Sequence, residues 1–527
     1  MKYMPGQFEF LGRILDKIAE EYSEKRFLLF QEKSYTYKQT NEHVNQLANG
    51  LYEIGVRKGQ KVALFSPNSD FFVFTLFALL KIGAVAVPVN IHQRKMGLSY
   101  IINQSDAEVL IYTGDLHEYA MDVQSELVKI KKVVTYGMGE LESEVWQRPY
   151  FQAETFFKTA PSHLLFHYPD IHPLDPSEII YTSGTTGVPK GAIWNHKKIT
   201  SNMAGDLGFT SEDIFYTCLP LFHGLAQSML FMSLLSNATF ALSSKFSARN
   251  FWREVNFYRA TWFNHIGGII PILLKQPEES DISHSAKYSY GCGAPQDPAD
   301  WKRFEERFGV RIVEYYGSTE AGAVTVGSKP GSIGKPRGSQ LVKIVNDDDQ
   351  ECNPNEVGEI ISKPRDPDLF FPGYYKMPEA TKEKTKGGWI RSGDLAYRDE
   401  EGYYHFVGRR KESIRRRGEN ISPWEIETIV NAHPCVKESA AVAVPSELGE
   451  DDVKICVVLT QAASLTEEEL IQYCKQRMGY YLVPRYVEFK ESLPKTPTEK
   501  IERLKLKQEG ITANTWDRER NGFCRTP

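Results

Sequence analysis

The chain has 527 residues, of which 41% are hydrophobic and 25% are charged, and its formal net charge is −5 at pH 7. A chain of this length is too long to fold around a single hydrophobic core, which indicates a large multi-lobed domain and a second, smaller domain. The mild charge, with acidic and basic residues interspersed, predicts neither a nucleic-acid partner nor a membrane partner, so any bound anion must be met by local groups.

Helices and strands alternate in the first part of the chain. Thr36 and Gln39 have the spacing of a capping box, which opens a predicted helix through Leu51. The runs KVALFSP, AVAVPVN and AEVLIY are predicted strands, with helices between them. This alternation predicts an α/β fold with mainly parallel sheets covered on both faces.

The most apolar segment runs from Phe71 to Val89 and is interrupted by Lys81 and Gly83. Its length and punctuation favour a buried helix followed by a buried strand over a membrane span. No integral membrane segment is therefore expected.

The pattern changes twice in the second half. From Gly331 onward, short segments rich in glycine, proline and charge predict a β-rich subdomain. At GRRKESIRRRGEN a cationic run precedes two predicted strands, VKESAAVAVP and VKICVVL, and a predicted helix, EEELIQYCKQRM. We therefore predict a large amino-terminal domain over residues 1–408 and a small α+β domain over residues 409–527.

Seven cysteines are scattered without CxxC spacing, and their odd number argues against a disulfide framework or a zinc site. The amino terminus has early acidic residues and no long apolar core, unlike a signal peptide. The expected setting is a reducing cytosol.

The stretch YTSGTTGVPKG, from Tyr181 to Gly191, combines glycines, hydroxyls and one lysine between two apolar runs, EII and AIW. Glycines let backbone N–H groups converge on a ligand, hydroxyls add donors, and Lys190 adds positive charge, which together suit phosphate oxygens. The spacing is not that of a Walker A loop, because Lys190 is followed by glycine. A phosphate-binding loop is predicted, with a solvated surface loop as the alternative.

This loop resembles the phosphate loop of the adenylate-forming superfamily, which includes acyl-CoA synthetases, luciferases and peptide-synthetase adenylation domains. Further segments resemble that superfamily's motifs and follow in its order: LPLFHG, YGCGAP, EYYGSTEAG, WIRSGDLAYRDEEGY, VGRRKESIRRRGENISPWEIE and LPKTPTEKIER. The resemblance spans most of the chain. It implies a small mobile carboxy-terminal domain and the use of ATP, Mg²⁺ and coenzyme A.

The implied reaction is attack of a carboxylate on the α-phosphorus of ATP, which expels pyrophosphate and leaves an acyl-adenylate. Because two anions must meet, positive charge is needed at their junction. Lys500 matches the lysine that contacts both anions in the family, and Thr186 and His223 are placed with it as catalytic residues. The family usually has glycine before this lysine, whereas this chain has Glu499.

Other residues match the family's nucleotide and metal site. Glu320 and Thr182 correspond to the magnesium ligands, and oxygen donors suit that ion. Tyr316 resembles the aromatic residue that stacks on adenine, while the neighbouring Tyr315 fits a core residue equally well. The full set that the resemblance assigns to nucleotide and coenzyme binding comprises Thr182, Ser183, Gly184, Thr185, Thr186, Gly187, Lys190, Gly293, Ala294, Pro295, Tyr316, Gly317, Ser318, Thr319, Asp394, Arg409 and Gly418.

In the family, Asp394 would accept both ribose hydroxyls, with Arg409 as an additional donor. The thiol half reaction requires the small domain to swing about a hinge, which corresponds to Lys411. The swing would withdraw Lys500 and bring Gly418 beside the pantetheine arm. The run Arg415–Arg417 either meets coenzyme A phosphates or forms a solvated face.

The acid pocket is assigned by resemblance to a set of polar and small residues: His223, Asn264, His265, Gly267, Gly268 and Gly291. This composition favours a carboxylic acid with a polar feature over a plain long alkyl chain. The segments NHIGGIIPILLKQP, GAP and RRRGENIS are most similar in sequence to those of carnitine and crotonobetaine CoA ligases.

The leading interpretation is an ATP-dependent acid:CoA ligase. Two alternatives stay open, an enzyme that loads a carrier protein and a non-catalytic nucleotide-binding homologue. The oligomeric state is also open, with a homodimer as one possibility.

Overall fold

The computed structural model describes residues 8–138, 146–182, 189–201, 207–266, 269–277, 283–292, 297–410, 414–416, 419–421, 423–446, 451–461, 463–478, 482–496 and 500–520. The chain divides into two compact units, one of residues 1–342 and 362–391 and the other of residues 343–361 and 392–527. A functional boundary near residue 409 stays a prediction.

The helices of the described residues alternate with strands through the first unit, as predicted. In chain order they are α1 Leu11–Glu21, α2 Tyr37–Glu53, α3 Asp70–Ile82, α4 Lys95–Gln104, α5 His117–Val123, α6 Ala153–Thr159, α7 His196–Ser201, α8 Gly224–Leu235, α9 Phe251–Tyr258, α10 Ile269–Leu274, α11 Pro298–Phe308, α12 Pro378–Lys384, α13 Pro423–Asn431, α14 Glu467–Lys475 and α15 Arg503–Glu509.

The strands include every strand predicted above. In chain order they are β1 Arg26–Phe30, β2 Lys33–Thr36, β3 Lys61–Phe65, β4 Val85–Pro88, β5 Ala107–Thr113, β6 Lys132–Tyr136, β7 Tyr150–Gln152, β8 Pro176–Thr182, β9 Lys190–Asn195, β10 Ile214–Thr217, β11 Thr239–Leu242, β12 Trp262–Ile266, β13 Tyr288–Cys292, β14 Arg311–Ser318, β15 Gly322–Gly327, β16 Lys335–Pro336, β17 Gln340–Val345, β18 Gly358–Pro364, β19 Ile390–Arg398, β20 Tyr404–Arg409, β21 Ile414–Arg416, β22 Glu419–Ile421, β23 Val436–Pro445, β24 Asp451–Leu459, β25 Tyr486–Phe489 and β26 Trp516–Asp517.

Two mainly parallel sheets build the first unit. One has the strand order β7-β6-β5-β3-β4-β8-β9 and is parallel except for the β8–β9 pair. The other has the order β16-β15-β14-β13-β12-β10-β11-β1-β2, and its central strands from β14 to β1 are parallel. The predicted α/β fold with parallel sheets is confirmed.

Local sequence signals explain where the first helices begin and end. Thr36 and Gln39 form the predicted capping box at the start of α2, with Thr36 Oγ1 accepting from the Gln39 N–H at 3.1 Å. Ser69 caps α3 by accepting from the Phe72 N–H at 3.1 Å, and Gly83 ends the helix in the left-handed conformation at φ 73°. Every residue of α3 is buried. Across the described residues, no helix is both long enough and apolar enough to cross a membrane.

The second unit contains a small α+β domain, as predicted. Its sheet has the order β23-β24-β25-β26 and is mixed, with β24 and β25 parallel and the outer pairs antiparallel. Its apolar core joins residues from α13 and α14 to β23, β24 and β25. The sequence from Pro423 to Asp517 therefore packs around a core of its own.

Candidate active site

The carboxyl ends of β10, β12, β13 and β14 meet at one edge of the larger sheet, because these strands are parallel. Ligands of open α/β sheets bind at this edge, outside the carboxyl ends of the strands. The chain reaches it at Ile266, Cys292 and Ser318, so the acid-pocket segment and the YGSTE motif emerge together. The predicted site residues of these segments therefore share one edge.

The predicted phosphate loop is carried between antiparallel strands. Thr182 is the last residue of β8 and lies opposite Lys190, the first residue of β9. Thr182 Oγ1 also donates to the Lys190 carbonyl at 3.4 Å. Residues Ser183, Gly184, Thr185, Thr186 and Gly187 lie outside the described residues, so their roles stay predictions. The antiparallel pairing of β8 and β9 therefore holds the two ends of the loop next to each other.

Glu320 lies in the short turn between β14 and β15 and is only 7% exposed. Gly317 makes the turn possible, because a Cβ there would lie 2.1 Å from the Gly322 carbonyl oxygen. The Ser318 hydroxyl braces the turn by accepting from the Ala321 N–H at 3.1 Å. The motif YGSTEAG thus holds a buried carboxylate on a tightly packed hairpin.

Tyr374 was not singled out by the sequence, and it joins the phosphate loop to Glu320. Its hydroxyl donates to Glu320 Oε1, while Lys190 Nζ lies 5.4 Å from the centroid of its ring. Burial alone would raise the pKa of Glu320, but the charge of Lys384 and the Tyr374 hydrogen bond lower it below its ordinary value. Glu320 is therefore held as a carboxylate at neutral pH.

Glu320 and Thr182 offer only oxygen donors, and Tyr374 orients the carboxylate. This donor set fits Mg²⁺, which binds through one or two protein oxygens and takes its remaining ligands from water and substrate phosphates. The residues present therefore fit the ion that the motifs imply.

Trp194 and Lys198, which the sequence also did not reveal, support the same turn. Trp194 Nε1 donates to the Thr319 carbonyl at 2.7 Å. Lys198 Nζ donates to the Thr319 carbonyl at 3.0 Å and to the Glu320 carbonyl at 2.7 Å. These contacts span more than a hundred residues of sequence, so no local pattern could have predicted them.

The two neighbouring tyrosines of EYYGSTE differ in surroundings. Tyr315 stacks on Tyr290, with ring centroids 4.6 Å apart and planes 18° apart. Tyr316 instead packs against the small cluster that contains Ala321 and Tyr374. The opposite adenine wall, Gly293, Ala294 and Pro295, lies outside the described residues. Stacking of Tyr316 on adenine stays a prediction, and Tyr315 is accounted for by its partner ring.

Two residues predicted to line the acid pocket, Asn264 and His265, lie on opposite faces of the strand β12. His265 is fully buried, its Nδ1 lies 2.5 Å from Ser289 Oγ and its Nε2 lies 3.3 Å from Glu314 Oε2. The His265 ring fills the space next to Gly291, where a Cβ would lie 2.0 Å from Nε2. The missing side chain of Gly291 thus accommodates the imidazole.

Asn264 occupies the other face of β12 and is also fully buried. Neither atom of its side-chain amide has a hydrogen-bond partner among the described residues. It lies opposite Tyr290 in the register of β12 and β13. Gly267 and Gly268 lie outside the described residues, and His223 is the residue that precedes α8. Within the described part of this segment, Asn264 is therefore a buried polar side chain whose amide makes no hydrogen bond inside the protein.

In the second unit, Asp394 and Arg409 are opposite residues of β19 and β20. Arg409 Nε lies 3.3 Å from Asp394 Oδ1, and Gly393 beside them adopts a left-handed φ of 76°. The structure therefore brings together the two residues predicted to contact ribose. The hinge residue Lys411 and the predicted coenzyme contact Gly418 lie outside the described residues.

Lys500 closes a short loop in the second unit. The Thr496 N–H donates to the Lys500 carbonyl at 2.7 Å, and the Lys500 N–H donates to Thr496 Oγ1 at 3.1 Å. Glu499 lies outside the described residues. The side chain of Lys500 is exposed, as a residue that must reach a ligand requires.

Arg416 has a structural role that neither sequence interpretation anticipated. It is 2% exposed, its Nε lies 2.9 Å from Asp452 Oδ1, and it donates to the Val483 carbonyl at 3.0 Å. Arg416 is neither part of a solvated face nor available to coenzyme A phosphates.

Two protein families match this sequence. The AMP-binding enzyme family matches residues 15–375, and the AMP-binding enzyme C-terminal domain matches residues 425–500. The crotonobetaine/carnitine–CoA ligase of Salmonella arizonae is 32% identical over 516 residues, which cover 94% of this chain and 98% of that protein. The protein of the same name from Escherichia fergusonii is 32% identical over 515 residues, with the same coverage.

Solved structures of CoA ligases share the fold. The anthranilate CoA ligase AuaEII in complex with anthranoyl-AMP superimposes with a TM-score of 0.87 at 25% identity, covering 96% of this chain and 98% of that one. The O-succinylbenzoate coenzyme A synthetase from Bacillus subtilis, in complex with ATP and magnesium ion, gives 0.81 at 25% identity, covering 94% and 99%. With one family spanning well over half of its length, the chain belongs to the AMP-binding enzymes, the adenylate-forming family that its motifs resemble.

Proposed function

We propose that this protein converts a short carboxylic acid with a polar or cationic group into its coenzyme A thioester. The reaction class follows from the family: the protein is an acid–thiol ligase that works through an acyl-adenylate. The acid and the use of coenzyme A as acceptor are the finer parts of the proposal.

The observation that carries the adenylation step is the bridge made by Tyr374 between the phosphate-loop lysine and Glu320. Lys190 would neutralise phosphate oxygens, and Glu320 with Thr182 would hold the magnesium ion. When bound, the ion would supply positive charge next to the phosphates of ATP. Holding these groups in place before ATP arrives removes the reorganisation that would otherwise oppose the reaction.

Lys500 would then contribute the positive charge at the junction of the substrate carboxylate and the α-phosphate. Asp394 and Arg409 would hold the ribose, since a carboxylate accepts from two hydroxyls while the guanidinium donates. All three lie in the second unit, so we propose that this unit moves during the cycle, with Lys411 as the hinge and Gly418 beside the thiol arm.

Asn264 supports a polar acid as the substrate. A buried amide without a partner costs about 1–3 kcal/mol, and a plain alkyl chain would leave that cost in place. The same face of the sheet carries the stacked rings of Tyr290 and Tyr315. An amide oxygen and aromatic rings together attract a quaternary ammonium group. Carnitine and crotonobetaine, the acids in the names of the relatives above, are carboxylic acids with a quaternary ammonium group.

The experiment compares a trimethylammonium acid with its neutral tert-butyl analogue of the same shape. Carboxylate-dependent exchange of pyrophosphate into ATP would be measured first, and release of free thioester on addition of coenzyme A second. We expect kcat/KM to favour the cationic acid at least about tenfold. Asn264→Leu should reduce that preference, whereas Asn264→Gln should retain more of it.

Each outcome separates the alternatives. Equal rates for the two acids would overturn the substrate class and leave the ligase reaction standing. Exchange without free thioester would point to a carrier-protein acceptor, and no exchange with any acid would point to a non-catalytic homologue. A reducing setting stays a prediction, supported by the free thiols of all six cysteines in the described residues.

A further inference from the structure

Lys198 is a fully buried lysine that lies outside every motif discussed above. It is 1% exposed and belongs to the short helix α7, just after β9. Lysines are almost never buried to this extent unless a partner compensates for the lost hydration. The partners of Lys198 therefore indicate what the burial achieves.

Its partners are two consecutive main-chain carbonyls, and no ion pair with a carboxylate is found for it in the described part of the chain. These carbonyls belong to Thr319, which the resemblance assigns to nucleotide binding, and to Glu320, which it assigns to magnesium. The indole of Trp194 donates to the same Thr319 carbonyl, so both donors converge on one peptide group.

Aromatic rings enclose the ammonium group. Lys198 Nζ lies 5.1 Å from the ring centroid of Trp194 and 5.9 Å from that of Phe371. Such contacts favour a cation, and burial makes it costly to hold an ammonium group at this place. A group that pays this cost of desolvation is an unusual choice for mere packing, since an apolar side chain would fill the volume without it.

We propose that Lys198, together with Trp194, is a positioning residue for nucleotide activation: it clamps the Thr319–Glu320 peptide so that the Thr319 hydroxyl and the Glu320 carboxylate are held for the α-phosphate and magnesium. The inference rests on the proposed function, because that function assigns magnesium to Glu320. Neither donor touches substrate, so both act through the turn.

Trp194 also contacts the start of α8. A Cβ on Gly224 would lie 2.6 Å from the Trp194 ring, and Gly224 directly follows His223 of the acid pocket. The same indole thus packs against the helix that presents the acid-pocket histidine and bonds to the turn that presents Glu320. The clamp therefore fixes the turn that carries Thr319 and Glu320, which we call the metal turn, relative to α8.

The test replaces Lys198 with Met, which keeps the length and removes the donor, and with Gln, which keeps two N–H donors without charge. Equilibrium binding of MgATP and of AMP without magnesium would be measured by calorimetry, together with the KM and kcat of pyrophosphate exchange. We expect Lys198→Met to weaken MgATP binding about tenfold or more and AMP binding by a smaller factor, because both nucleotides meet Thr319 while only MgATP brings the ion held by Glu320. Lys198→Gln should recover most of the loss.

A matched control is Lys81→Met, which removes another fully buried lysine of the same unit. Lys81 Nζ contacts Asn41 Oδ1 at 2.6 Å and Asn45 Oδ1 at 2.7 Å, and it pairs with Asp16. This variant should lower the thermal midpoint without changing the ratio of MgATP to AMP affinity.

An unchanged ratio in Lys198→Met, measured well below the melting temperature of the variant, would show that Lys198 is only structural and would overturn the clamp. If Lys198→Met does not fold, Trp194→Phe takes its place, because it removes the second donor to the Thr319 carbonyl, and an unchanged ratio in that variant would overturn the clamp equally. Failure of the proposed function looks different, because the wild-type protein would then give no carboxylate-dependent exchange of pyrophosphate into ATP.

Discussion

Glu178 provides a stability test that does not depend on the enzymatic activity. It lies in β8 opposite Trp194, it is fully buried, and burial raises its pKa to about 8, with the nearby Gln227 opposing the shift. In the unfolded chain this carboxyl titrates near its ordinary value of 4.5. Between these values the unfolded chain has lost the proton while the folded protein keeps it, so this residue makes stability fall as pH rises.

The magnitude follows from the separation of the two pKa values. The free energy of unfolding falls by about 5 kcal/mol between the two pKa values, and by about 3 kcal/mol between the ordinary carboxyl pKa and pH 7. Glutamine has nearly the same shape and cannot ionise. We therefore expect the free energy of unfolding of Glu178→Gln, relative to that of the wild type, to rise by about 3 kcal/mol as the pH goes from 4.5 to 7.

Urea unfolding followed by tryptophan fluorescence would measure this difference at several values between about pH 5 and pH 8, where both proteins are folded. Glu108→Gln is the control, because Lys131 holds the pKa of Glu108 below its ordinary value and the sign of its contribution is therefore opposite. If the difference between Glu178→Gln and wild type stays constant within about 0.5 kcal/mol across this range, Glu178 is not buried as a neutral acid and the reasoning fails.

Further predictions concern the half reactions and the metal turn. Lys500→Ala should abolish adenylate formation, measured as pyrophosphate exchange, and should leave thioester formation from a supplied acyl-adenylate largely intact; an equal fall in both would remove its assigned role. Lys411→Pro should show the reverse pattern, since a rigid φ at the hinge blocks rotation, and normal thioester formation in that variant would argue against the domain movement. Tyr374→Phe keeps the ring and removes the donor to Glu320, so the affinity for MgATP should fall about tenfold while the affinity for AMP changes little, as titration calorimetry can check.

Local sequence signals predicted much of the fold because those signals act over a few residues. The capping box at Thr36 and the apolar run beginning at Phe71 each fix an element through neighbours three or four positions away. The parallel sheets followed from the alternation of helices and strands. The division into compact units was harder to predict, because the chain crosses between them at residues 342, 361 and 391, within the strands β17, β18 and β19.

The candidate site was predicted only as far as its motifs extend. Glu320, Asp394 and Lys500 were recognised from the residues next to them. Their supports were missed, because Tyr374 and Lys198 reach Glu320 across 54 and 122 residues. Gly291 was assigned to the pocket by resemblance, and the structure adds that the His265 ring fills the space beside it. The presence of a glycine in a motif does not show which neighbouring side chain occupies the space next to it.

The strand β9 explains how the distant supports act together. Its first residue, Lys190, ends the predicted phosphate loop, and Trp194 near its other end bonds to the metal turn. The segment of Tyr374 is joined to the same strand by two main-chain hydrogen bonds, from Ile193 N–H to the Gly373 carbonyl at 3.1 Å and from Tyr375 N–H to the Gly191 carbonyl at 2.8 Å. Because the loop base, the tyrosine and the indole all belong to this strand or pair with it, a displacement of β9 would move the predicted phosphate and metal ligands together. Substitutions that loosen β9 should therefore weaken MgATP binding even when they lie far from the nucleotide.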